Sequence, residues 1–116
     1  MCNFPIIVEG HPSLRHIFPT KQRAVKSAID LAKADDRIKR LIIFGSAVTM
    51  NCGACSDVDI AIDAPDVAAD DFPKLAHDFY IGVDSEVDVI HYNLIHSQVL
   101  KKEIDNKGVS VYIKRE

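Results

Sequence analysis

The sequence has no apolar run that approaches the roughly 20 residues needed for a membrane-spanning helix. Its first residues also lack the succession of basic, apolar and small residues that marks an export signal. The chain is therefore expected to be a soluble, cytoplasmic protein without a membrane partner. Its 116 residues are enough for one domain with one hydrophobic core.

Cysteine is scarce, and the three cysteines are an odd number that does not make a disulfide framework. Two of them, Cys52 and Cys55, form a C-x-x-C. A redox C-x-x-C normally opens a helix, whereas this pair precedes a predicted strand. A zinc site would need two more ligands, and only Cys2 and scattered histidines are available. We predict a loop of small residues here, with a functional thiol pair as the alternative.

Basic residues are slightly fewer than acidic residues. The formal net charge of −3 argues against a general nucleic-acid-binding protein, because such proteins present a net basic surface. No lysine or arginine occurs between Leu41 and Pro73. This balance still permits a small phosphorylated ligand that arrives with a metal ion, since the metal supplies positive charge.

Apolar periodicity and turn residues predict strands and helices that intermix without a strict β-α-β alternation. The predicted strands are 38–44, 57–62, 86–91 and 109–113. Three helices are predicted: one that begins after the cap Thr20, one around 72–79, and one over 94–105 with Asn93 as its cap. Residues 1–20 are expected to form an N-terminal arm, and residues 21–116 a single domain. We predict an α/β (α+β) fold with a mixed sheet and helices packed mainly on one face.

The stretch 41–63 holds the candidate site. A predicted buried strand ends at Gly45 and Ser46, where glycine lets the backbone turn sharply and approach a ligand. Side chains alternate faces along a strand, so Asp57 and Asp59 in the next strand point at the same small volume. Carboxylates that converge in a cleft repel each other and need a cation between them.

A third carboxylate, Asp88, lies between two valines in a later strand. Other polar and aromatic side chains in these strands are predicted not to belong to the site. Glu86 is expected to be an exposed edge carboxylate, and Asp63 a solvated charge at the end of a strand. His91 and Tyr92 are predicted to pack near the site.

The combination of a hydrophobic strand, Gly45-Ser46, ten further residues, Asp57, Asp59 and the later Asp88 resembles the signature of the nucleotidyltransferases related to DNA polymerase β. The chain length, the preceding helix and the segment EIDNKGVSVY are similar to the minimal members of that superfamily. The resemblance implies the nucleotidyltransferase fold. It also implies that the three aspartates are catalytic metal ligands, and that the glycine and serine bind the β- and γ-phosphates of a nucleotide.

The chemistry implied by this resemblance is the transfer of a nucleoside monophosphate, AMP from ATP or its equivalent from another NTP, onto a hydroxyl with Mg²⁺ or Mn²⁺. Minimal nucleotidyltransferases are commonly paired with a small helical HEPN protein, and act as antitoxins by modifying a tyrosine on it. A chain of 116 residues is expected to lack the extra helical domain with which antibiotic-modifying relatives bind their substrate. A protein acceptor is therefore expected, and a partner or a second copy in a homodimer would complete a shallow pocket.

One position departs from the family's pattern. Many members carry an arginine directly after Gly-Ser, and here that residue is Ala47. A second hypothesis therefore stays open, namely a non-catalytic nucleotide-binding or regulatory subunit of a two-protein complex that acts by contact. The three carboxylates favour the enzyme, because a protein that only binds has no need of them.

Overall fold

The computed structural model describes residues 3–50 and 57–115 of the chain. The predicted loop with Cys52 and Cys55 lies outside these residues, as does Cys2. Within these two ranges, none of the helices has the length and apolar content required to cross a bilayer.

Four strands form one mixed sheet: β1 (Arg40–Phe44), β2 (Val58–Asp63), β3 (Val87–His91) and β4 (Val109–Ile113). Their order is β3-β2-β1-β4. The central strand β1 runs antiparallel to β2 and β4, and β2 runs parallel to β3. The predicted mixed sheet is therefore confirmed, and the bounds of β4 coincide with those predicted.

Three helices pack on this sheet: α1 (Gln22–Lys33), α2 (Phe72–Gly82) and α3 (Gln98–Lys107). In α1 the buried residues recur at intervals of three and four, which gives the helix one apolar stripe toward the sheet. The buried residues of α1 are Gln22, Ala24, Val25, Ala28, Ile29 and Ala32. Short 3₁₀ turns cover Pro12–His16, Pro19–Lys21, Gly45–Val48 and Tyr92–Leu94.

The sheet buries its two faces against different helices. On one face, Leu41, Ile43 and Ile60 join a large cluster with side chains from α1 and α2. On the other face, Ile42 and Ala61 form a smaller cluster under α3. Two of the three helices thus share one face, in agreement with the predicted fold.

Two helix starts differ from the predictions. Asn93 does not cap α3; the cap is Ser97, whose side-chain oxygen accepts a hydrogen bond from the amide of Leu100 at 3.2 Å. The Asn93 side chain instead accepts a hydrogen bond from the amide of Ala64 at 2.8 Å. Thr20 lies in a 3₁₀ turn, and no side chain caps α1.

The segment before α1 packs against the body of the molecule. Leu14 and Ile17 are fully buried in the large cluster. The amide of Phe4 donates to the carbonyl of Arg15 at 2.7 Å, which closes the segment on itself. The division into an arm of residues 1–20 and a domain of residues 21–116 stays a prediction, but core packing begins well before residue 21.

Candidate active site

Gly45 ends β1 with a backbone conformation that favours glycine. Its φ is +75°, in the left-handed region that other residues adopt only at a cost. A Cβ built on Gly45 would lie 2.1 Å from the Oδ2 atom of Asp59. Glycine is therefore required at this position for two reasons: it adopts the backbone conformation of the turn, and it leaves room for the Asp59 carboxylate.

The sheet register brings two of the three predicted carboxylates side by side. Asp59 of β2 and Asp88 of β3 are direct partners across the parallel strand pair. Neighbouring strands lie about 4.8 Å apart and paired residues share a face, so both carboxylates lie on the same side of the sheet. Asp57 precedes β2 by one residue and has the same alternation as Asp59.

The charges of the three groups act on one another. Burial is the largest influence that raises the pKa of Asp59, and the negative charges of Asp88 and Asp57 raise it further. Asp57 and Asp88 themselves are exposed. Asp59 is therefore the inner member of the cluster, and the two outer carboxylates are close enough to repel it.

Ser46 lies in a turn that two hydrogen bonds from Thr49 stabilise. The carbonyl of Ser46 accepts hydrogen bonds from the amide and from the hydroxyl of Thr49, both at 3.0 Å. Ala47 and Val48, the next two residues, are buried in the large cluster. Position 47, where many family members carry arginine, is a fully buried alanine here and offers no basic side chain to a phosphate.

The donor set suits a hard divalent cation, because carboxylate oxygens are the preferred ligands of Mg²⁺ and Mn²⁺. Within residues 3–50 and 57–115, however, no three carboxylate, imidazole or thiol groups already stand together as a metal cage. Asp57, Asp59 and Asp88 are neighbours on two strands whose side chains would have to draw together around the ion.

Asp63 and His91 lie away from the three aspartates. Asp63, at the far end of β2, is held by the Nε atom of Arg40 at 3.3 Å. The ring of His91 lies on the opposite face of the sheet, where its Nε2 atom is 2.7 Å from the carbonyl of Val67. The predicted packing role of His91 fits this position, but it does not lie beside the carboxylates.

Tyr92 follows β3 at the same far end as Asp63. Its hydroxyl donates to the Oδ1 atom of Asp105 at 2.5 Å, and the guanidinium of Arg40 lies 5.1 Å from its ring centroid. Glu86 is exposed, as predicted.

One contact at the site has no signal in the sequence. The amide of Phe18, in the N-terminal segment, donates to the carbonyl of Ala47 at 2.7 Å. Backbone hydrogen bonds between segments far apart in the chain leave no residue pattern, so this support of the Gly45–Val48 turn is visible only in the structure.

A family model described as polymerase beta nucleotidyltransferase matches residues 26–116. No curated protein sequence matches the chain. Among solved structures, a chain of a toxin–antitoxin complex with AMP-PNP is 24% identical, with a TM-score of 0.64 over 78% of this chain and 73% of that one.

Two further neighbours come from the same kind of complex. A chain of the MntA-HepT toxin–antitoxin pair is 23% identical, with a TM-score of 0.60 over 80% of this chain and 73% of that one. A chain from the complex of a tri-AMPylated Shewanella oneidensis HEPN toxin with MNT antitoxin is 24% identical, with a TM-score of 0.61 over 81% and 73%. At these identities the likeness concerns the fold.

Proposed function

The chain belongs to the polymerase β nucleotidyltransferase family, and we propose that it is a metal-dependent enzyme that transfers AMP from ATP onto a hydroxyl of a HEPN-type protein. The observation that carries the proposal is the pairing of Asp59 with Asp88 beside Gly45, with Asp57 close enough to influence the pKa of Asp59. A structural role does not need two carboxylates whose charges act on a third, half-buried one, whereas a site for Mg²⁺ and a triphosphate does.

Each residue has a defined part in the proposed reaction. Asp57 and Asp59 would hold a divalent metal ion that binds the triphosphate, and Gly45 and Ser46 would offer backbone amides and a hydroxyl to the β- and γ-phosphates. Bound divalent metal would stabilise the charge that develops on the attacking and leaving oxygens. Asp88, which pairs with Asp59 across the neighbouring strand, would complete the set of metal ligands and accept the proton of the acceptor hydroxyl.

The bonds balance as an in-line displacement at the α-phosphorus. The acceptor oxygen forms a bond to that phosphorus, the bond from it to the bridging oxygen of the β-phosphate breaks, and pyrophosphate leaves. The proton of the acceptor hydroxyl passes to Asp88. The products are an AMP ester of the acceptor and pyrophosphate.

The fold neighbours support the nucleotide and the acceptor. One neighbour was solved with AMP-PNP, which favours ATP as the donor here. Another forms a complex with a HEPN toxin that carries three AMP groups, which favours a HEPN-type protein as the acceptor.

The experiment compares three proteins incubated with Mg²⁺, a HEPN-type protein and ATP labelled at the α-phosphate. The wild type is expected to label the HEPN protein, and Asp57→Asn is expected to label it at least about a hundredfold more slowly. Asp63→Asn is the matched control, because it makes the same chemical change on the same face at the other end of β2. Equal labelling by the Asp57 and Asp63 variants would sink the proposal.

A second function, neutralisation of a partner by contact alone, is favoured by one observation. Residue 47 is alanine, so the turn lacks the arginine that many relatives use near phosphate. In that case wild type and Asp57→Asn would inhibit a HEPN-type ribonuclease equally, without ATP and without label on the partner.

A further inference from the structure

Lys21 is a buried charged residue at the start of α1. Only 6% of its surface is exposed, whereas lysine is normally one of the most exposed residue types. Within the described part of the chain its ammonium group has neither an ion pair nor a hydrogen bond, and it is not among the fully enclosed polar atoms. The stem is therefore buried while the ammonium group keeps access to a ligand.

Hydrogen bonds link Lys21 to the turn that carries Gly45 and Ser46. The amide of Lys21 donates to the carbonyl of Phe18 at 2.8 Å, and the amide of Phe18 donates to the carbonyl of Ala47 at 2.7 Å. Ala47 directly follows Ser46. These two hydrogen bonds place the start of α1 next to the Gly45–Val48 turn, and the flexible four-carbon stem of lysine allows the ammonium group to be directed toward that turn.

The neighbouring residue fixes this arrangement. The side chain of Gln22 is fully buried, and its Nε2 atom donates to the carbonyls of Pro5 at 2.7 Å and Ile17 at 3.1 Å. Its Oε1 atom accepts a hydrogen bond from the amide of Ile7 at 2.8 Å. A buried amide with three satisfied hydrogen bonds holds the N-terminal segment in place, and with it Phe18 against Ala47.

The carboxylate end of the sheet needs a cation from outside the stretch 41–73. That stretch has no lysine or arginine, and Arg40, just before it, is engaged with Asp63 at the far end of the sheet. A triphosphate carries more negative charge than one or two divalent ions offset once three carboxylates are counted. The first turn of α1 also carries the positive end of the helix dipole.

We infer that Lys21 is a phosphate-binding residue, and that its ammonium group contacts the β- or γ-phosphate of the nucleotide held at Gly45 and Ser46. This inference rests on the proposed function and deepens it. Lys21 takes over, from a different element of the fold, the charge that the buried Ala47 cannot supply. The N-terminal segment is then part of the nucleotide site.

The test measures the affinity of the full chain for Mg²⁺ with AMP-PNP, and separately for AMP, by calorimetry. Lys21→Met is expected to weaken AMP-PNP binding about tenfold, because one charge-assisted contact to phosphate is lost, and to change AMP binding less than about twofold, since AMP has no β- or γ-phosphate. Lys21→Arg, which keeps the charge, is expected to retain most of the affinity. Lys33→Met at the exposed end of α1 is the matched control and should bind as wild type does.

The outcomes separate the two proposals. If wild type and Lys21→Met bind AMP-PNP equally while Asp57→Asn does not bind it, the role of Lys21 is refuted and the proposed function stands. If wild type itself does not bind AMP-PNP with Mg²⁺, the proposed function falls and the role of Lys21 falls with it. Should Lys21→Met not fold, Lys21→Gln against Lys21→Arg gives the same comparison, and equal affinity of these two would overturn the inference.

Discussion

Aspartate side chains at the two ends of one sheet face have opposite electrostatic surroundings. At one end of β2, Asp59 stands beside Asp57 and Asp88, and its pKa is raised by burial and by their charges. At the other end, Asp63 is held by the Nε atom of Arg40 at 3.3 Å and accepts a hydrogen bond from the side-chain Nδ2 atom of Asn93 at 3.0 Å. The first aspartate is set among like charges and the second is compensated.

This contrast distinguishes a site from a structural contact. A compensated carboxylate stabilises the fold slightly, and its charge is already balanced without a bound metal ion. A carboxylate held among others is unfavourable for the protein alone, and becomes favourable when a cation arrives. The arrangement near Asp59 therefore costs stability in the metal-free protein, as binding sites often do.

The largest expected effect comes from Gly45→Ala, which would fill the space that the Asp59 carboxylate occupies. The Cβ would lie 2.1 Å from the Oδ2 atom, so the carboxylate must move away from the cluster. Transfer of labelled AMP is expected to fall at least about a hundredfold, and the free energy of unfolding by about 1–2 kcal/mol from the positive φ.

Gly10→Ala is the matched control for this substitution. Gly10 has a φ of +79°, close to that of Gly45, but a Cβ there would meet nothing within 4 Å. It should show the loss of stability without the loss of activity. If both alanine variants keep wild-type activity, the close packing of Gly45 against Asp59 does not contribute to AMP transfer.

A smaller effect is expected from Asp59→Asn on the metal-free protein at pH 7, where removal of one of three repelling charges should raise the melting temperature by a few degrees. The folded-state pKa of Asp59 is raised, so its protonated form favours the folded state. That contribution is fully present below the unfolded pKa near 3.9 and is lost as the pH rises through the folded pKa. The advantage of the asparagine variant should therefore shrink as the pH falls from 7 toward 4.

Thermal unfolding with and without Mg²⁺ checks this prediction. Added Mg²⁺ should stabilise the wild type and have little effect on Asp59→Asn. A melting temperature for Asp59→Asn below that of the wild type at pH 7, with no metal present, would contradict the proposed repulsion.

The smallest effect is expected at the compensated end. Asp63→Asn removes the ion pair with Arg40 but keeps an oxygen that can accept from Asn93, so the free energy of unfolding should fall by about 0.5 kcal/mol. Denaturant titration measures this loss. An increase in stability for Asp63→Asn, of the kind expected for Asp59→Asn, would remove the distinction between the two ends.

The sequence was sufficient to predict the parts of this fold that depend on alternation and motif spacing. Because side chains alternate along a strand, Asp57 and Asp59 could be assigned to one face, and the register later paired Asp59 with Asp88. The core strands were predictable from their runs of β-branched residues, and the bounds of β4 were predicted correctly.

Tertiary contacts account for what was missed. Asn93 and Ser97 are both good helix caps by type, and the choice between them was decided by the hydrogen bond of Asn93 to Ala64, far away in the chain. The burial of Ala47 and the role of Gln22 likewise depend on how distant segments meet. No local pattern carries that information.

The buried side chain of Gln22 has a consequence for where this domain begins. The family model starts at residue 26, and so covers every predicted metal ligand while omitting Gln22 and the fully buried Leu14 and Ile17. The matched range is thus shorter than the unit that is packed together in this molecule. A boundary drawn from family likeness would cut through the hydrophobic core of the protein, and would detach the support of the Gly45–Val48 turn while leaving its carboxylates in place.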